Sequence, residues 1–293
     1  MLTKLLKYDF KATARIFLLM YAALLVLAGL NAGFYYLSGT IMANAQGLAA
    51  TMMDIFISLF TILYVLVALA VMVVTIVLII MRFYRMLGNE GYLWFTLPVT
   101  ANQHLLSKLI TAFVWTIGST LMVCISILVL ALPAGWLHYV GQIPQMWQTV
   151  ASYGFSPGIW VFCALVILVL GTINGTLMFY AAMSIGPNLT KSRLGGSLLA
   201  YVILYVAGQL IGIIELVVLT LPAANLGTSS ADIIVSTTSE AAQDILPLLT
   251  QIAAPVNDLV LLLTVVLGVG YLLLSAALYL ISRHFLTKKL NLA

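Results

Sequence analysis

The chain has 293 residues, of which 63% are hydrophobic and only 7% charged, whereas a soluble globular domain carries roughly 25% charged residues. That leaves too little polar surface to cover a water-facing globule. The net charge of +4 comes from cations grouped at the ends of apolar runs, so it reports membrane orientation and gives no argument for nucleic-acid binding.

Runs of about 20 apolar residues, enough to cross a hydrocarbon core of roughly 30 Å, predict an all-α integral membrane protein. Its six transmembrane helices fall near residues 16–38, 55–81, 108–132, 158–184, 197–221 and 257–282. Strands of a β-barrel would alternate apolar and polar residues, and stretches such as LYVLVALAVMVVTIVLIIM do not. All the residues form one transmembrane domain, 1–293. Cys124 and Cys163 lie within predicted spans and read as small core hydrophobes.

Ahead of span one, residues 1–15 place Lys4, Lys7 and Lys11 on one helical face, with Leu2, Leu5, Leu6 and Phe10 largely on the other. An N-terminal amphipathic helix is expected there, lying along the inner membrane surface. The apolar run behind it is longer than the roughly 7–15 residues of a signal peptide, so the segment is expected to stay attached.

Between spans two and three runs RFYRMLGNEGYLWFTLPVTANQHLLSKL, the longest connection on its side of the membrane. Residues 83–103 are expected to hold structure of their own. Gly88 and Gly91 flank Asn89 and Glu90 and should break the helix leaving the membrane. An apolar stretch too short to span follows, ended by Pro98, and Thr100 with Gln103 forms a capping box that starts the next helix. A short helix presenting Tyr92, Trp94 and Phe95 must bury those rings in headgroups or in a partner protein.

Residues 133–157 carry Trp136, Tyr139, Trp147, Tyr153 and Phe155, an aromatic belt at the opposite interface. In span four, Gly171 and Gly175 bracket Asn174. In span five, Gly208, Gly212 and Glu215 share one face, with Gln209 beside them. Such small-residue stripes with a neighbouring amide suggest helix packing. Glu215 is the one ionisable residue well inside a predicted span. It reads either as a contact for a cationic part of a cargo or as a protonated, hydrogen-bonded packing residue, and the stripe places it against protein. Residues 222–256 are expected to form an outer loop and an amphipathic helix, capped by Thr237 and Glu240, bent near Pro247 and leading into span six.

Every Lys and Arg obeys a single orientation. Lys4, Lys7, Lys11 and Arg15 precede span one; Arg82, Arg85 and Lys108 lie between spans two and three; Lys191 and Arg193 lie between spans four and five; Arg283, Lys288 and Lys289 follow span six. The three opposite connections have none, which places both termini in the cytoplasm. No HExxH, CxxC or paired-carboxylate spacing appears, so no catalytic or metal constellation is expected.

The basic prelude, the six spans and the segment GNEGYLWFTLPVTANQHLLSKL together resemble the permease subunit of bacterial ABC exporters, the group with six spans per subunit and a separate ATPase chain. The likeness covers essentially the whole chain, and its specificity sits in Asn89 to Pro98 and Leu105 to Leu109. It implies a location in the bacterial cytoplasmic membrane and a coupling helix after span two that docks on the ATPase. Arg85, Glu90, Gly91, Tyr92, Trp94, Phe95 and Pro98 would form the docking surface, with Trp94 standing where many relatives carry a small polar residue. It also implies a second permease copy or a paralogue, and export of amphipathic or toxin peptides, with drugs or lipids as the alternative cargo. Asn174, Gln209 and Glu215 would lie on the transport pathway. The sequence contains no GxxxxGK[ST] phosphate loop, so ATP and magnesium would bind the partner ATPase, and this chain would be a transport subunit without enzymatic activity. An ion-coupled transporter using Glu215 is the competing expectation.

Overall fold

In lipid every backbone N–H and C=O must be satisfied within the chain, and long apolar runs answer this by forming helices. The computed structural model describes residues 2–42, 48–87, 101–190, 192–238 and 245–288, with the backbone alone over 218–238 and 245–252. These residues form seven α-helices: α1 Leu2–Met42, α2 Leu48–Leu87, α3 Ala101–Leu130, α4 Trp136–Ser152, α5 Pro157–Leu189, α6 Arg193–Thr238 and α7 Ile245–Lys288. A 3₁₀ turn, Leu132–Ala134, precedes α4. All but α4 contain a stretch long and apolar enough to cross a membrane, which makes the chain a multi-pass helical membrane protein.

The chain divides into two compact units, Met1–Gly141 and Gln142–Asn291. In the first, α1 packs on both α2 and α3. Hydrogen bonds give the register: Asp9 pairs with Ser107 and Tyr21 with Ser119, at a constant offset of 98 residues, so α1 and α3 run parallel. The middle helix runs the other way, as Arg82 meets Asp9, Thr75 meets Ser119 and Thr61 meets Asn31. Phe17, Tyr21, Leu24 and Ala28 of α1 and Tyr64 and Val71 of α2 make the apolar core. The Phe17 ring stacks on Trp115 with centroids 4.2 Å apart.

The second unit repeats this plan. There α5 packs on both α6 and α7, and Ser156–Asn257 and Asn174–Ser275 share an offset of 101 residues, so α5 and α7 are parallel and in register. Pro157 opens α5, where its missing N–H is no loss, and the Ser156 N–H just before it donates to Asn257 Oδ1 at 3.1 Å. The antiparallel α6 crosses α5 closely near Gly186. A Cβ there would fall 2.7 Å from the Ser197 Cα, and one on Gly196 would strike the Gly186 carbonyl. Two glycines are therefore required for the backbones to meet.

Three elements differ from expectation. Residues 2–15 are not a separate surface helix but the opening turns of α1, which runs unbroken into the first span; no Gly or Pro interrupts the chain there, and an established helix adds each further residue at little cost. The same propagation carries α6 past residue 221 to Thr238, so Thr237 lies inside that helix and does not cap the next one. The helix that follows begins at Ile245 and is continuous with the last span. Finally, the aromatic stretch contains α4, in which Val140, Ile143, Met146 and Trp147 recur at helical spacing and are exposed, with Gln142, Gln145 and Thr149 beside them.

Candidate functional site

The most polar place in the described interior lies where the three helices of the first unit converge near residues 9, 82 and 108. On α1, Asp9 and Thr13 are one turn apart and share a face with Phe17. That face is buried, while Lys4, Lys7, Lys11 and Arg15 point away from it and are exposed. Asp9 is only 4% exposed and Lys108 6%.

Four donors converge on Asp9. The Lys108 ammonium is ion-paired with Oδ1, and Ser107 Oγ donates to Oδ2 at 2.8 Å. Its backbone carbonyl accepts from Arg82 Nη1 and from Thr13 Oγ1, each at 2.9 Å. Each carboxylate oxygen and the backbone carbonyl of Asp9 is thus engaged by a neighbouring side chain. Chemically this is a clamp, tying α1 to the last turns of α2 and the first turns of α3.

Beyond the clamp a seam of hydroxyls continues along the same bundle. Tyr21 Oη and Ser119 Oγ lie 2.8 Å apart, and Thr75 Oγ1 joins Ser119 at 2.7 Å. Tyr64 Oη pairs with Ser126 Oγ at 2.9 Å, and Asn31 Nδ2 donates to Thr61 at 3.2 Å. Each bond crosses between helices, which gives the unit directional as well as apolar contacts.

The segment expected to couple to a partner has two flanks in view. Glu90, Gly91, Tyr92, Trp94, Phe95 and Pro98 lie outside the described residues. Arg85 sits exposed in the last turn of α2, beside the buried Phe83, Met86 and Leu87. On the other side, His104, Leu105, Ser107 and Lys108 are buried in the opening turns of α3. Thus residues 88–100 join two helix ends that are both fixed in the Asp9 cluster.

In the second unit the three expected pathway residues separate. Asn174 is buried and its amide donates to Ser275 Oγ at 3.3 Å, so it joins α5 to α7. Gln209 is exposed on α6. Glu215 is half-buried with its carboxylate against Gly270 of α7, where a Cβ would collide with it. Among the described residues no hydrogen bond to Glu215 is formed. The glycine stripes do not act as expected: nothing lies within 4 Å of a Cβ built on Gly171, Gly175, Gly208 or Gly212. Small residues permit close approach without compelling it, and α6 is the least buried of the six spans.

Sequence reasoning missed Asp9 and read Lys108 only as an orienting cation at the start of span three. The available signal was the lone acid in a basic prelude, one residue from the apolar face, facing a span start that carries a Ser–Lys pair. In comparisons with family models, curated proteins and solved structures, nothing matches this chain.

Proposed function

We propose that this chain is the membrane permease subunit of an ATP-driven exporter, working with a separate ATPase and a second permease copy. The observation that carries the reading is that the two helix ends flanking residues 88–100 are both held to α1. This apolar, aromatic segment, too short to span, joins the two helix ends that the Asp9 cluster fixes to α1. A segment so mounted can be pushed by a partner and can move the bundle as a body.

In this reading both termini and residues 83–103 face the cytoplasm, as the one-sided distribution of Lys and Arg supports. Closure of the ATPase pair presses on Tyr92, Trp94 and Phe95, and α1 to α3 reorient. Amphipathic peptides are the cargo class, ahead of drugs or lipids. Glu215 and Gln209, which are not committed to packing by hydrogen bonds, are the polar groups on the outward path; Asn174 is committed to Ser275.

The test is copurification of the chain from its native membrane, followed by ATPase assay with and without a synthetic amphipathic helical peptide. A bound ATPase stimulated by the peptide is expected, and replacing Tyr92 and Phe95 with Asp should abolish that stimulation. Absence of any ATPase would refute the reading. Transport that persists without ATP and follows a pH gradient would replace it with the ion-coupled alternative through Glu215.

A further inference from the structure

We infer that Asp9 is a positioning residue that makes α1 an output lever of the α3 end, so that displacement of that end is passed to the first turns of α1 through the Asp9–Lys108 pair. The inference rests on the proposed function for the source of the displacement, but the clamp itself does not.

The chemistry points to a mechanical role. Taking a carboxylate and an ammonium out of water is expensive, and a well-packed apolar pair of similar volume is often as stable or more so. Stability alone therefore gives a poor reason to hold an ion pair in a core that is otherwise rich in Leu, Val and aromatic rings. What an ion pair adds is register: the short, charge-assisted bonds fix one relative setting of two helices where apolar side chains would tolerate sliding. Here it fixes three helices at one level. Lys108 and Ser107 hold the carboxylate from α3, and Arg82 holds the Asp9 carbonyl from α2.

The position along the helices matters as much as the chemistry. Arg82 lies six residues before Gly88 and Lys108 eight residues after Thr100, so both grips are within about two turns of the connecting segment. Next along α1, Phe17 stacks on Trp115 and Tyr21 bonds to Ser119. A shift of the α3 end therefore meets α1 first at Asp9 and is then carried along a rigid face. With Asp9 made neutral, the first turns of α1 lose their charged hold on the α3 end and keep the Arg82 bond to the Asp9 carbonyl.

The experiment is hydrogen exchange on Asp9→Asn and on the exchanged pair Asp9→Lys with Lys108→Asp. In the purified full chain, Asp9→Asn is expected to speed exchange of amides 2–15 about tenfold, an opening made easier by about 1.4 kcal/mol. Amides of α5 should be unchanged, which also reports that the variant is folded, and the exchanged pair should return the rate toward wild type. Unchanged exchange in Asp9→Asn overturns the clamp. In the complex with its ATPase, trapping with ATP and vanadate should alter exchange across α1 in the wild type, and in Asp9→Asn the change over residues 2–15 should be lost. The same α1 response in both proteins overturns the lever. If no ATPase accompanies the wild-type chain, the proposed function and the transmission both fall, while exchange in the isolated chain still judges the clamp.

Discussion

The two three-helix units share a plan and differ in what holds it. Each has parallel, in-register first and third helices and an antiparallel second. The first unit is joined by an ion pair and four sets of interhelical hydrogen bonds around Asp9, Tyr21, Tyr64 and Asn31. Among the described residues, the second is joined by the Asn257 cap, an amide–hydroxyl bond at Asn174, ring stacking of Phe179 on Tyr201 and a close glycine crossing. Polar groups demand one alignment, because a buried donor left unsatisfied costs about 1–3 kcal/mol. Shape contacts tolerate small slides. The bonds around Asp9, Tyr21, Tyr64 and Asn31 thus fix one alignment of the three helices of the first unit, and the described contacts of the second fix a close backbone crossing.

The largest effect that would break this contrast comes from removing one member of the ion pair. Lys108→Ala leaves the buried Asp9 carboxyl without its ammonium partner, a loss of about 3–5 kcal/mol, seen as a much lower unfolding temperature in detergent. Asp9→Leu combined with Lys108→Met should recover most of it, because the apolar pair carries no desolvation penalty. If the single variant matches the wild type in stability, the first unit is not held by charge and the contrast fails.

Next in size is the glycine crossing of the second unit. Gly196→Ala drives a methyl into the Gly186 carbonyl, and overpacking of this kind costs about 1–3 kcal/mol. Gly171→Ala meets open space and should be neutral or stabilising by up to about 1 kcal/mol, since Ala is the better helix former. Thermal melts of the two variants side by side test it; equal effects would mean that the close approach at Gly186 does not hold α5 to α6.

That pair of glycines also marks where the sequence was legible. Six spans could be read because hydropathy is a local, summed property that a window of about 20 residues reports well. The amphipathic character of residues 2–15 was equally readable, and its lysines are exposed as the pattern requires. Its continuity with α1 was not, because nothing in a surface-helix pattern says where the helix stops. The GxxxG stripes at Gly171 and Gly208 named places where backbones can approach, whereas the contact formed at Gly186 and Gly196, which no GxxxG spacing marks. Helix α4 was not expected, because residues 133–157 read as an aromatic belt and the helix contains a proline, Pro144, which interrupts a helical pattern. The Asp9–Lys108 pair lies 99 residues apart in the chain, and the charge rule that oriented the spans used the sign of Lys108 without naming a partner for it. Orientation was recoverable from charge; which helix faces meet was not.

The smallest effects sharpen the division within the second unit between packing and path. Asn174 is committed to Ser275, so Asn174→Leu should cost about 0.6 kcal/mol, the average worth of an interhelical hydrogen bond in a membrane protein. It should leave the apparent affinity for cargo unchanged. Among the described residues Glu215 has no hydrogen bond to lose, so Glu215→Gln should shift stability by less than about 0.5 kcal/mol. If a cationic group of the cargo meets that carboxylate, the same variant should weaken peptide-stimulated ATPase activity by raising the peptide concentration needed, with the maximal rate retained. The two outcomes separate cleanly because one residue spends its polarity inside the bundle and the other keeps it available. Should Asn174→Leu change affinity while Glu215→Gln changes only stability, the roles assigned to the two residues would have to be exchanged, and the path would run along α5 instead of α6.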